Sequence, residues 1–401
     1  MPKPTRIDPA DLLAVGDLLT DEERLVRDTV RRFTEERIRP HIGDWFERGV
    51  FPARELAPEL GALGVLGMHL DGYGCAGADA VAYGVACMEL EAADSGLRSF
   101  VSVQGSLAMR SIHAFGSEEQ KQRWLPGMAA GELIGCFGLT EPDFGSDPAN
   151  MRTRAVRKGG KGGKGGEGGD WVLSGSKMWI TNGSIADVAV VWAQTEEGVR
   201  GFLVERGTRG LTATDVHGKL SLRASVTSEL AFDEVVLPAD AVLPGVTGLR
   251  GPLSSLNEAR YGILWGTVGA ARDCYTAALD YAKSRIQFDR PIAGFQLTQQ
   301  KLVEMMLEVE KAYLVALRIG RLKEEGAARP PHVSFGKLNN VRTALEIARS
   351  ARTVLGANGI TTEYPVLRHA NNLESVLTYE GTSEIHTLVL GEAITGESAY
   401  R

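Results

Sequence analysis

The sequence predicts an α+β chain laid out as helices, then a β-barrel-like domain, then a four-helix bundle. Three observations carry this. A capping box, Thr20-Asp-Glu-Glu23, precedes apolar Val26, Val30 and Phe33 at helical spacing. Between 133 and 243, short β-branched or aromatic runs alternate with Gly, Asn and Asp turns. Beyond Pro252, the stretches 256–285, 297–325 and 333–355 are long and amphipathic. The expected domains are therefore 1–132, 133–243 and 244–401.

In the first domain, the helix opened at Thr20 should stop near Arg39, because Pro40 disfavours helical geometry in the residue before it. The small apolar run 80–91 suits a helix packed closely on its neighbours. Ser117-Glu-Glu-Gln120 opens another helix. In the second, Trp171-Val-Leu173, Val188-Ala-Val-Val-Trp192, Gly201-Phe-Leu-Val-Glu205 and Glu229-Leu-Ala-Phe-Asp233 read as strands. The Lys/Gly repeat from Lys158 to Gly169 invites comparison with a phosphate-cradling loop. Such a loop needs Ser or Thr after its Lys and a helix beyond, whereas Gly165 follows Lys164 and nothing helical comes next. It reads as a flexible, solvated hairpin loop.

Composition narrows the function. The 401 residues exceed one compact core, and 43% hydrophobic with 24% charged residues is an ordinary globular mixture. A net charge of −7 speaks against a protein that coats nucleic acid. No apolar run reaches the length of a membrane span. The start, Met1-Pro-Lys-Pro-Thr-Arg, has neither a secretory apolar core nor the character of a presequence, so a cytoplasmic protein is expected. Cys75, Cys87, Cys136 and Cys274 form no CxxC pair, and the seven histidines show no zinc spacing, so no metal is expected.

Two segments have the makings of a cofactor site. Gly138-Leu-Thr-Glu-Pro-Asp-Phe-Gly-Ser-Asp147 is dense in hydroxyls, backbone donors and glycines. Gly145 removes side-chain bulk there and Ser146 offers a hydroxyl. By itself it reads more readily as a surface turn. In Lys177-Met-Trp-Ile-Thr-Asn182, Trp179 and Thr181 would share one face of a strand, as a platform for a flat ring requires. Trp179 as a core residue is the alternative.

Taken together, Gly138-Leu-Thr-Glu-Pro142, Gly145-Ser-Asp147, Trp179-Ile-Thr-Asn182, Arg285-Ile-Gln-Phe288, Gln296, Leu355-Gly-Ala-Asn-Gly359 and Tyr379-Glu-Gly-Thr382 resemble the acyl-CoA dehydrogenases, in the family's order and over nearly the whole chain. The resemblance implies FAD and a homotetramer. It implies Leu139 and Thr140 at the flavin's pyrimidine edge, Ser146 at the pyrophosphate, and Trp179 and Thr181 flanking the ring. Arg285, Gln287, Phe288 and Gln296 would contact FAD held mainly by a neighbouring subunit, with Thr382 and Glu384 also at its phosphate and adenosine portion; Gly356 is a further cofactor-binding residue. Glu384 stands where many members have Gln, and Thr353 where some have Gln.

The chemistry asks for one positioned carboxylate. The α-proton of an acyl thioester is weakly acidic, so its removal needs a base and stabilisation of the enolate oxygen. Glu380 resembles the family's base, and burial beside flavin and thioester should strengthen it. The resemblance implies that the base's own backbone N–H and a flavin ribityl hydroxyl hold the oxyanion. Some relatives carry the base on an earlier helix, where this chain has Ala259, which cannot serve.

The substrate end is read from Glu91-Ala-Ala-Asp-Ser-Gly-Leu-Arg-Ser99. A guanidinium among apolar residues is costly unless it meets an anion, and a dicarboxylic acyl group supplies one. From charge alone, Arg98 could instead pair with Glu91 or Asp94 on the surface. With Ser102-Val-Gln104, His217 to Ser225, Asn257-Glu-Ala-Arg-Tyr-Gly262 and the C-terminal run Ile385 to Gly396, this segment looks like the glutaryl-CoA dehydrogenases. That resemblance implies that Arg98 and Ser99 hold the distal carboxylate with Glu91 nearby, that Asn257 and Arg260 lie near the CoA, and that Tyr379 adjoins the substrate. It implies dehydrogenation and decarboxylation of glutaryl-CoA to crotonyl-CoA, with electrons passing to electron-transferring flavoprotein. A non-decarboxylating variant, a short-chain acyl-CoA dehydrogenase or oxidase, and a flavin-binding scaffold without turnover are the alternatives.

Overall fold

The computed structural model describes residues 8–158 and 169–400. The first residues of the chain and most of the Lys/Gly segment, on which two of the readings above fall, lie outside the described residues.

Helix α1 (Asp21–Phe33) begins at the expected capping box: Thr20 Oγ1 accepts from Glu23 N at 3.2 Å, and Glu23 Oε2 accepts from Thr20 N at 2.8 Å. Pro40 does not end the helical run. Thr34–Ile38 widens into a π turn, and α2 (Arg39–Arg48) starts with Pro40 in its first turn. A first-turn proline gives up an N–H that has no intrahelical partner anyway, and the π turn re-registers the chain without breaking it. Helices α3 (Ala53–Ala62), α4 (Ala80–Ala93), α5 (Ser95–Ser102), α6 (Arg110–Phe115) and α7 (Glu118–Ala129) complete the first unit. The capping box at Ser117 is present.

Strands β1 (Gly135–Gly138), β2 (Arg154–Arg157), β3 (Trp171–Thr181), β4 (Val188–Thr195), β5 (Gly198–Glu205), β6 (Leu211–Asp215) and β7 (Thr227–Leu237) form one mixed sheet in the order β1-β4-β2-β3-β7-β6, with β5 on β4. β1 runs parallel to β4, while β3 and β7 are antiparallel with a bulge between Lys177 and Ile180.

The last unit holds α8 (Arg250–Ser284), a small hairpin of β8 (Ile286–Gln287) and β9 (Arg290–Pro291), then α9 (Gln296–Glu324), α10 (Pro330–Leu355), α11 (Val366–Thr378) and α12 (Ser383–Thr395). Pro252 lies inside the first turn of α8 rather than before it, again where its missing N–H is harmless. Asn340 of α10 donates to Leu264 O at 2.7 Å and Ala312 O at 3.1 Å, locking α8, α9 and α10 together.

Three contacts join the units. Small residues let α4 lie directly on α8: a Cβ at Gly269 would sit 1.8 Å from Met88 O, and one at Gly84 would sit 2.4 Å from the Trp265 ring. Gln104, in the π segment after α5, accepts from Gly135 N at 2.7 Å and donates to Leu133 O at 2.8 Å, fixing β1 beside α5. The loop after β6 docks on α11, where Asn372 Oδ1 accepts from Leu222 N at 2.8 Å and Ser221 Oγ meets Ser375 Oγ at 2.6 Å.

Candidate active site

Glu380 stands in the turn between α11 and α12 with φ at +54°. A side chain in that region is held there only by its surroundings. Here three successive carbonyls are gripped: Lys337 Nζ donates to Tyr379 O and Gly381 O, each at 2.6 Å, and Arg260 Nε donates to Glu380 O at 2.6 Å. Gly381 continues the turn at φ +99°, where a Cβ would approach His386 Nε2 to 2.9 Å. Thr382 then caps α12, accepting from Ile385 N at 3.3 Å.

The Glu380 residue is half-buried, but its Oε2 is occluded and has no hydrogen-bond partner. Burial raises the carboxyl above the ordinary range, against the opposing pull of Arg98, Lys337 and Arg260. Among the described residues, no carbonyl takes the Glu380 N–H. His386 donates or accepts at Ser334 Oγ, 3.0 Å away, while burial and the nearby cations push its ring down to about 3 and keep it neutral.

Arg98 closes the other side. It is fully buried, donates from Nε to Glu91 Oε2 at 2.7 Å and from Nη2 to the Tyr379 hydroxyl, and leaves Nη1 unpartnered. Ser99 Oγ lies 3.1 Å from the same hydroxyl, and Ser95 Oγ donates to Glu91 Oε1 at 2.8 Å. Burial disfavours the guanidinium's charge, but Glu91, Tyr379 and Glu380 more than offset that and hold its pKa well up. The surface pairing allowed by charge alone is not found. Glu91 is the partner but in the interior, and Asp94 is taken by Arg368 at 2.6 Å and Asn372 at 2.9 Å. Asn257 is half-buried one turn before Arg260 on α8, on the same face. Ala259 between them is fully buried.

The first cofactor segment also comes together. Thr140 O accepts from Met178 N at 2.8 Å and Leu139 O accepts from Lys177 Nζ at 3.0 Å, so the turn after β1 is fastened to β3. Glu141 completes the fastening: it binds Lys177 Nζ at 2.8 Å, Thr153 N at 2.9 Å and Arg152 N at 2.6 Å. Trp179 lies in the β-bulge at φ +63° and is 58% exposed, so it is not a core residue. Thr181 shares its face, across buried Ile180. Ser146 is exposed, and a Cβ at neighbouring Gly145 would meet nothing. A flat ring with a phosphate tail fits this open platform.

Other expected cofactor residues lie at the surface and take no part in the hydrogen bonds around Glu380. Arg285, Gln287 and Phe288 are on the exposed β8–β9 hairpin, Phe288 being 88% exposed, and Gln296 starts α9. Gly356 and Glu384 are also exposed.

Residues 20–132, 136–235 and 247–395 match the N-terminal, middle and C-terminal domains of acyl-CoA dehydrogenases. The chain belongs to the acyl-CoA dehydrogenase family. It is 65% identical to a glutaryl-CoA dehydrogenase from Mycobacterium smegmatis, with TM-score 0.95 over 99% of this chain and 100% of the other. A glutaryl-CoA dehydrogenase from the same organism, solved in complex with FADH2, is 60% identical with TM-score 0.94, covering 98% and 99% of the two chains. The human mitochondrial short-chain specific acyl-CoA dehydrogenase is 35% identical over 93% of this chain and 90% of its own. Acyl-CoA dehydrogenases are oxidoreductases, and so is this enzyme. No described helix is long and apolar enough to cross a membrane.

Lys337, Ser334 and His386 around the Glu380 turn, and the Lys177–Glu141 pair under the turn after β1, were not singled out by sequence reasoning. Lys337 left one signal. It interrupts the buried stripe Val333, Val341, Ala344 and Ala348 of α10, where an apolar residue is expected.

Proposed function

We propose that the protein is a glutaryl-CoA dehydrogenase that oxidises and decarboxylates glutaryl-CoA to crotonyl-CoA and CO2. One observation carries the substrate assignment: a fully buried guanidinium, Arg98, is bonded to the hydroxyl of Tyr379, the residue next to Glu380, and leaves Nη1 unpartnered. A fatty acyl tail would leave that donor unsatisfied, whereas a distal carboxylate satisfies it. Similarity to two glutaryl-CoA dehydrogenases supports the same reading.

FAD, when bound, supplies the acceptor for hydride from the β-carbon. Leu139, Thr140, Trp179 and Thr181 would hold its ring, with Ser146, Thr382 and Glu384 toward its phosphates and adenosine. Arg285, Gln287, Phe288, Gln296 and Gly356 would serve the FAD of a neighbouring subunit in a homotetramer, which suits their exposure.

Glu380 takes the α-proton, and its free N–H is available to the enolate oxygen. Arg98 and Ser99 orient the distal carboxylate, while Asn257 and Arg260 lie toward the CoA. In the oxidised acyl group, carbon dioxide leaves the γ-carbon because the electron pair released delocalises through the new double bond into the thioester carbonyl. Protonated Glu380 then returns its proton to the γ-carbon. Electrons leave to an electron-transferring flavoprotein, and the chain divides into its three domains at 132/133 and 243/244.

The test is anaerobic mixing of the FAD-loaded protein with carboxyl-labelled glutaryl-CoA or butyryl-CoA. Rapid flavin bleaching and labelled CO2 with glutaryl-CoA are expected. Bleaching by butyryl-CoA alone would point to the short-chain reading, which the human relative at 35% identity favours.

A further inference from the structure

We propose that Lys337 is the positioning residue for Glu380, holding the turn that aims the carboxylate and acting as its buried counter-charge. This rests on the reading of Glu380 as the base. Two lysines of the described chain are essentially fully buried, Lys177 and Lys337. Lys177 has a carboxylate partner, Glu141 at 2.8 Å. Lys337 is bound to no carboxylate; its ammonium donates only to Tyr379 O and Gly381 O, the two carbonyls that flank Glu380. Burying an ammonium without an ion partner is unfavourable. A site that keeps one therefore has another use for it.

The geometry supplies that use. The bonds on either side of Glu380, together with Arg260 on its own carbonyl, fix a non-glycine residue at φ +54°. Arg260 comes from α8 and Lys337 from α10, so the turn is pinned from two helices of the bundle. The charge then acts on the carboxylate through space. The titratable and charged groups around this pair are Glu91 from α4, Arg98 from α5, Arg260 from α8, His386 from α12, and Tyr379 in the turn itself. Burial pushes Lys337 down to about 7 against the pull of Glu380, and Lys337 in turn opposes the upward push of burial on Glu380.

The sign of the effect follows. With the ammonium charged, on the acid side, Lys337 keeps Glu380 ionised to lower pH. As pH rises through the titration of Lys337, that help fades and only the hydrogen bonds remain. Removing the lysine should therefore cost most at low pH, whereas a residue that merely fills space should cost the same at every pH.

The experiment uses FAD-loaded wild type, Lys337→Met, Lys337→Arg and Glu380→Gln, each mixed anaerobically with glutaryl-CoA from pH 6 to 8.5. The flavin bleaching rate, the glutaryl-CoA dissociation constant and the melting temperature are followed. Lys337→Met should bleach about tenfold slower or worse at pH 6, with a smaller loss at pH 8.5 and a dissociation constant within about threefold of wild type. Lys337→Arg, whose charge does not titrate, should bleach faster than Lys337→Met at pH 6. A wild-type rate in Lys337→Met, or an equal loss across the range that Lys337→Arg does not relieve, overturns the proposal. If Lys337→Met fails to fold, Lys337→Arg decides alone: a pH profile with the wild-type acid limb supports it, and a limb moved to higher pH overturns it. Bleaching by Glu380→Gln at the wild-type rate would instead remove the base reading, and this proposal with it.

Discussion

Arg98 of α5 and Tyr379 of the Glu380 turn meet directly: the guanidinium donates to the tyrosine hydroxyl and lies 5.8 Å from the centre of its ring. The contact joins helix α5 to the residue next to Glu380, so Glu91, Arg98 and the Glu380 turn share one network.

Loss of Arg98 should therefore discriminate between substrates. Arg98→Ala should lower kcat/KM for glutaryl-CoA about 100-fold and for butyryl-CoA less than about tenfold, each factor of ten corresponding to about 1.4 kcal/mol. Because this change strands Glu91, the double variant Arg98→Ala/Glu91→Gln is measured beside it. Equal losses on both substrates would make Arg98 a structural partner of Glu91.

Gly266 protects the same network. A Cβ there would come within 2.0 Å of Glu91 Oε2. Helix propensity alone favours alanine over glycine inside α8 by about 1 kcal/mol. Gly266→Ala should nevertheless destabilise the fold by about 1–3 kcal/mol, as overpacking does, in a urea titration. A gain in stability would show that Glu91 moves aside at little cost.

Much of this was legible in the sequence. The capping boxes at Thr20 and Ser117 are local signals and lie where read, and the three long helices of the bundle differ only at their ends. Arg98 stood out as a charge within an apolar run. Pro40 misled because its steric restriction is local, whereas the π turn that accommodates it is chosen by packing on both sides. β1, β2 and β6 are only four or five residues long, too short for alternation to register. Lys337 is far from Glu380 in sequence, so only the packing of α10 under the turn reveals its role.

Glu89 tests the interior away from the site. Burial would raise its carboxyl, but Arg272 and Arg31 overcome this and hold it at about 2, with contacts of 2.6 Å and 2.9 Å. Since the folded value is depressed, its stabilisation is present above the unfolded value of 4.5 and fades as pH falls toward 2. Glu89→Gln should cost about 3–5 kcal/mol at pH 7, with the gap to wild type narrowing below pH 4.5 in chemical denaturation. A gap independent of pH would show that packing, not charge, is lost.

Trp179 tests the platform. Because its ring is 58% exposed, Trp179→Ala should leave the melting temperature of the flavin-free protein within a few degrees. It should weaken FAD retention on dilution about tenfold or more, as loss of an aromatic stacking partner does. Unchanged retention, followed by flavin fluorescence in the filtrate, would remove Trp179 from the cofactor site.

If Glu380 removes the α-proton, stopped-flow flavin bleaching in Glu380→Gln shows it. The amide keeps the shape of the side chain and cannot accept the proton. The FAD-loaded variant should bind glutaryl-CoA with near wild-type affinity and bleach about 1,000-fold slower or not at all. Bleaching at the wild-type rate would show that another group removes the α-proton.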